Sequence, residues 1–172
     1  ETFQGTEETL EYLDVGFNVI ESMSTVSFPA LKYLNLGKNK LAKVDQAFTL
    51  LPLLQVLVLK ENMITDITGD TFKGLDNIIS IDLSGNKISS LAAGDFSNAY
   101  LNEVNVSNNM LTDLEPRTFA DLPILEVLDL SRNKLVGIKT GAFDNIPRLK
   151  KLFLNHNKLS SYKGDIFANI NQ

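Results

Sequence analysis

The sequence predicts an α/β solenoid: a parallel β-sheet along a concave face, with short turns and helical turns along a convex one. Three observations carry that expectation. First, the phrase L-x-x-L-x-L-x-x-N-x-L, with Ile or Val allowed at the Leu positions, opens at Leu10, Leu31, Leu54, Ile78, Leu101, Leu125 and Leu149. The spacings of 21, 23, 24, 23, 24 and 24 residues mark a stack of units, each hiding its apolar side only against its neighbours. Second, Phe48, Phe72, Phe96, Phe119, Phe143 and Phe167 recur at nearly the same period. Third, the segments between phrases hold all five prolines, and Gly69, Gly94, Gly141 and Gly164 precede the recurring Phe. Such residues disfavour long helices and favour turns.

The phrase itself dictates the strand. Its third to fifth residues alternate outward, inward, outward, as a strand does. In the sixth copy Val127 and Asp129 share the outer face while Leu128 points to the core. Leu125, Leu130 and Leu135 are expected to turn inward around it, with Ile138, Phe143 and Ile146 closing the opposite wall. A parallel sheet needs cover on its inner face, and the return path of each unit supplies it.

The recurring asparagines Asn18, Asn39, Asn62, Asn86, Asn109, Asn133 and Asn157 fall where the strand turns away. A turn buried between units leaves backbone donors and acceptors without ladder partners, which is costly. A short side chain with two donors and one acceptor answers both needs, so the column is expected to be structural. The phenylalanines, which favour offset ring contacts, are expected to form a core spine. Two irregularities stand out. The first unit has Thr25 in the Phe slot, with Phe28 in the following aliphatic slot. In the fourth, Phe96 lies closer to the next phrase and Ala99-Tyr100 replace the usual aliphatic-Pro pair, which predicts a tightened stack.

The organisation reads as one array. Residues 1–9 are the tail of a preceding unit, since Thr2-Phe3-Gln4-Gly5 echoes Thr71-Phe72-Lys73-Gly74. Residues 10–172 form seven units in a continuous solenoid without recognisable caps, so the chain reads as an internal fragment of a longer array. An uncapped unit exposes its apolar layer, here near Phe3 and Phe167.

Composition narrows the function. A hydrophobic content of 44% supports a continuous core. The net charge of -5 comes with no basic run, against a nucleic-acid groove. The longest apolar stretch, Ala47 to Leu59, is broken by Thr49, Pro52 and Gln55 and is too short to span a bilayer. No cysteine is present, so neither disulfide caps nor thiolate metal sites arise within the chain.

Recognition is expected at the outward phrase positions. The third reads Tyr12, Tyr33, Val56, Ser80, Glu103, Val127, Lys151; the fifth reads Asp14, Asn35, Val58, Asp82, Asn105, Asp129, Phe153; the eighth reads Phe17, Lys38, Glu61, Gly85, Asn108, Arg132, His156. Aromatic and Arg residues are the types that anchor interfaces. The candidate partner-binding residues are therefore Tyr12, Phe17, Tyr33 and Lys38 near the start, and Arg132, Phe153 and His156 near the end. Asn105-Val106-Ser107 is an N-glycosylation triplet in mid-sheet. Catalysis finds no foothold: the single histidine, His156, lacks an evident Ser or carboxylate partner and the companions of a metal site. Asp14, Asp82 and Asp129 share a column but do not supply the converging oxygens of a calcium site. No cofactor is expected.

On these residues the chain resembles the extracellular type of the leucine-rich repeat family, with the 24-residue unit and Phe spine. It is similar in this to chaoptin, Toll-like receptor ectodomains and Slit-type adhesion proteins. The resemblance implies a curved solenoid that binds a protein ligand or a second copy of itself, with no catalytic residues to carry over. It implies an extracellular or cell-surface adhesion or receptor ectodomain. The alternative is an intracellular scaffold gripping a signalling protein in the cytoplasm.

Overall fold

The computed structural model describes residues 8–98, 100–161, 164–167 and 170. Each phrase supplies one three-residue strand at its third to fifth positions: β1 (Tyr12–Asp14), β2 (Tyr33–Asn35), β3 (Val56–Val58), β4 (Ser80–Asp82) and β5 (Glu103–Asn105). Two shorter strands, β6 (Asp113–Leu114) and β8 (Gly137–Ile138), flank β7 (Val127–Asp129), and β9 (Lys151–Phe153) ends the series. The seven phrase strands form one parallel sheet in the order β1-β2-β3-β4-β5-β7-β9. The register never slips: Leu13 pairs Leu34, Leu34 pairs Leu57, and so on to Leu128 and Leu152. A one-residue slip would turn each middle residue outward, and Leu34, Leu57, Ile81, Val104 and Leu128 are all buried.

Behind the sheet, Leu125, Leu130 and Leu135 are fully buried, as are Phe143 and Ile146 on the facing wall. Each such side chain contributes roughly 1.5–3 kcal/mol by leaving water. Ile138 departs from this pattern. It lies in β8 and is half-buried. Phe48, Phe72, Phe96, Phe119 and Phe143 are buried, whereas Phe167 is partly exposed. Rings from Phe72 to Phe167 stack at centroid separations of 5.8, 5.3, 6.4 and 6.3 Å, the two shortest being those that involve Phe96. Ala99, to which the sequence attributes that tightening, lies outside the described residues. In the first unit Thr25 donates its hydroxyl to the Gln46 carbonyl at 3.2 Å, and Phe28 enters the core.

The convex side is built from overlapping tight turns. The Leu51 N–H donates to the Phe48 carbonyl and the Leu54 N–H to the Leu51 carbonyl, both at 3.1 Å, with similar pairs in later units. Helical content is small: a single 3-10 segment at Gly164–Phe167 is the only helix among the described residues. The proline and glycine spacing explains why turns do not lengthen into helices. β6 and β8 pair in parallel as a second small sheet on the flank. The stretch Thr2-Phe3-Gln4-Gly5 lies outside the described residues.

Candidate functional site

The outer face of the sheet is aimed by the turn that follows it, and the asparagine column builds that turn. Asn109 accepts from the Ile88 N–H at 3.0 Å and donates to the carbonyls of Leu83 at 3.0 Å and Val106 at 3.1 Å. Its carboxamide thus ties its own turn to the preceding one. Asn39, Asn62, Asn86 and Asn133 repeat the arrangement and, with Asn109, are 6–7% exposed. Asn157, half-buried, makes the same links. Asn18 differs: it is exposed and, among the described residues, bonds the Val15 and Gly16 carbonyls of its own unit and no carbonyl of another.

The fifth phrase position is less free than its outward direction suggests. Asp14, Asn35, Asp82, Asn105 and Asp129 each accept, through Oδ1, the N–H two residues on, at 2.8–3.0 Å. These are Asx turns that close the strand end. The sequence carried the signal, since all five read Asp or Asn, any residue, then Gly or Ser. Asn105-Val106-Ser107 therefore fits the turn pattern as well as the glycosylation pattern. Val58 and Phe153 hold the position without such a turn residue and are free to present apolar surface.

The eighth position is constrained by the backbone. Phe17, Lys38, Glu61, Gly85, Asn108, Arg132 and His156 all have φ between 51° and 70°. This left-handed conformation disfavours ordinary side chains. Gly85 and Asn108 hinted at it. Phe17, Lys38, Arg132 and His156 are thus presented at a fixed angle on the rim of the sheet.

Among the candidate residues, the structure brings together two pairs. Tyr12 and Tyr33 stack with centroids 4.3 Å apart and planes 2° from parallel. Burial, then the neighbouring Tyr12 hydroxyl, raises the Tyr33 phenol above its usual range. Lys38 Nζ lies 4.5 Å from the Phe17 ring centroid and 3.6 Å from Glu61, so Phe17 pairs with Lys38 rather than with the tyrosines. Tyr12 is 60% and Phe17 72% exposed. In register beyond Tyr33 come Val56 and, beside it, Val58, which extends the apolar surface across three strands. Phe153 and His156 are exposed in the last unit, with Arg132 one unit earlier. Six strand spacings separate the two ends of the row, roughly 30 Å, so they do not form one site.

Between them the face is polar and acidic, with Asp82 and Asn105 in register and Glu103 exposed. On the convex side, Asp121 is held below the usual carboxylate range by the Asn145 carboxamide and then by Arg117. Asp95, buried beside the Phe spine, is pushed up by loss of water despite the Ala92 N–H it accepts at 2.7 Å. Among the described residues no group of three or more His, Cys, Asp or Glu could hold a metal ion. Nor is any described helix long and apolar enough to cross a membrane.

Comparison with known proteins agrees with this geometry. The chain is 34% identical over 134 residues to Tsukushi of Gallus gallus, covering 75% of this chain and 36% of that protein. It is 30% identical over 169 residues to chaoptin of Drosophila melanogaster, covering 95% of this chain and 13% of chaoptin. The chain therefore spans about a third or less of these relatives. Among solved structures it superposes on a TLR13–ssRNA13 complex with a TM-score of 0.85, at 27% identity over 94% of this chain and 23% of that one. It superposes on the Toll–Spatzle complex at 0.76, again with 27% identity, over 94% of this chain and 26% of that one. The leucine rich repeat model matches residues 8–64, 52–99 and 99–159, and with the register of its strands this makes the chain a member of the leucine-rich repeat family.

Proposed function

We propose that this chain is a non-catalytic recognition module within a cell-surface or secreted adhesion or receptor ectodomain, and that it binds a protein through the start of its concave sheet. The observation that carries the reading is the exposed Tyr12–Tyr33 stack, continued in register by Val56. Stacked rings fixed on adjacent strands are rigid, amphipathic anchors of the kind that dominate interfaces. A protein ligand matches the Spatzle of the Toll–Spatzle complex. The RNA of the TLR13–ssRNA13 complex matches less well, because Asp14, Asp82, Glu103 and Asp129 face outward from this sheet and repel phosphate.

A glycan on Asn105 in a secreted parent would obstruct the centre of the sheet and leave the tyrosine end clear. Asn105→Asp is the suitable variant to remove it, because the Asx turn survives as it does at Asp82 and Asp129. The test is a binding screen of the chain against displayed extracellular domains, with Tyr12→Ala and Tyr33→Ala beside the wild type. Truncation should cost about 1–4 kcal/mol of affinity while melting stays near wild type. Normal binding by both variants, with loss on convex-turn substitutions, would overturn the reading. So would retention of a single-stranded RNA probe.

A further inference from the structure

Four ion pairs join one unit to the next: Lys32–Glu11 at 2.9 Å, Lys38–Glu61 at 3.6 Å, Lys139–Glu115 at 3.0 Å and Lys150–Glu126 at 2.8 Å. In each, a lysine meets a glutamate at the same place in the neighbouring unit. The residue directly after the ladder asparagine breaks that habit. From the second unit to the seventh it reads Lys40, Met63, Lys87, Met110, Lys134, Lys158, with no acid among them. All six side chains are exposed, the two methionines by 43% and 39%. None of the four lysines forms an ion pair with another described residue.

The backbone fixes this row. Each of the six N–H groups donates to a carbonyl of the preceding unit at 2.8–2.9 Å, as Lys87 does to Ile64 and Lys134 to Leu111. The residues therefore stand at about the 4.8 Å spacing of adjacent strands, on the flank beside the concave rim. Like charges side by side repel, and Lys134 and Lys158 are neighbours in adjacent units, the Lys158 N–H donating to the Leu135 carbonyl at 2.9 Å. Arg132, two residues before Lys134, adds charge at the same corner and also forms no ion pair with a described residue. In a chain with net charge -5, Lys40, Lys87, Arg132, Lys134 and Lys158 thus follow one edge without an ion pair to a described residue.

We propose that this flank is a second docking surface, separate from the concave face, for an acidic polypeptide segment carrying apolar side chains between its carboxylates. Charge complementarity selects an anionic partner. Met63 and Met110 select a polypeptide among anions, because their soft, adaptable side chains interleave with the cations where a polysaccharide or phosphate chain offers nothing apolar to meet them.

The probes are a biotinylated peptide of alternating Glu and Leu, its Gln-for-Glu counterpart, heparin, and phosphatidylserine–phosphatidylcholine vesicles. The full chain is compared with K40E/K87E/K134E and with K40Q/K87Q/K134Q/K158Q, the second guarding against a folding defect in the first. The acidic peptide should bind the wild type, weaken with salt, and lose about tenfold or more in affinity in both variants. Tyr12→Ala and Tyr33→Ala should leave that affinity unchanged, so this proposal and the concave one fail separately. Carbodiimide cross-linking should place peptide carboxylates on Lys40, Lys87, Lys134 and Lys158. Equal binding of the Gln peptide, undiminished binding by folded charge variants, cross-links spread over all lysines, or retention of heparin or vesicles in place of the peptide would each overturn it.

Discussion

Asn109 and Asn18 occupy the same place in the repeated phrase, yet their surroundings assign them different weights. Replacing Asn109 by Ala orphans the buried Ile88 N–H and takes one donor from each of the Leu83 and Val106 carbonyls, which keep Asn86 and Asn133 respectively. The expected loss is about 1–3 kcal/mol by urea denaturation. Asn18→Ala, at an exposed turn, should change stability by less than about 0.5 kcal/mol. Asp95 makes a second residue-scale case. It stands where Thr71 and Thr118 stand before the neighbouring phenylalanines, and like Thr71 it accepts an N–H from its own turn. Its carboxyl holds a proton more tightly folded than unfolded, so its contribution to stability falls as pH rises from the ordinary carboxylate range through the raised folded value. Asp95→Thr should therefore raise the melting temperature at neutral pH, with the gain shrinking in acid. The asparagine period was visible in the sequence because one residue type serves the turn. The left-handed eighth position was only hinted at by Gly85 and Asn108, since seven residue types fill it. Arg132→Val, β-branched at φ 55°, should cost about 1–2 kcal/mol, whereas Arg132→Gly should relieve strain there. Alanine scans of this column mix backbone effects with binding.

At the scale of elements, the strand is three residues long and gains nothing by extension, because the phrase turns the chain inward on both sides of it. Strand position and register were legible from the alternation of Leu and polar residues. The β6–β8 pair was not, because Asp113-Leu114 and Gly137-Ile138 share no residue pattern. The Phe spine was legible from its period. Phe119 stacks on both Phe96 and Phe143, so Phe119→Ala should cost about 3–5 kcal/mol in calorimetry. The lysine row makes an opposite-signed expectation. Lys134→Glu would face Lys158 across one unit and should raise the melting temperature slightly, the size of an exposed cross-strand pair.

For the whole molecule, each unit touches only the units beside it, so stability is close to a sum of unit and interface terms. Amide exchange should be slowest between Leu57 and Leu128, where the middle strand residues are buried, and faster at Leu13 and Leu152, which are only half-buried. Uniform protection along the chain would contradict that picture. The candidate surfaces were only partly readable at this scale. The concave aromatics declared themselves by type, but the flank became visible only when the register set one lysine beside the next.

The register also governs how such a chain tolerates changes in length. From the opening residue of each phrase to its asparagine the count is always the same, as in Leu31 to Asn39 and Leu125 to Asn133. All variation among spacings of 21, 23 and 24 therefore falls on the convex return path. Insertion of a single residue within a phrase would invert the faces of its strand and break every cross-unit bond of its asparagine. The same insertion in the return path, beyond the closing residue of the phrase such as Leu41 or Leu135, would be absorbed by a surface turn. Duplication of an entire unit would preserve every contact type while lengthening the flank by one strand spacing. Growth by whole units, with fine adjustment confined to one side, is the mode of divergence this architecture permits.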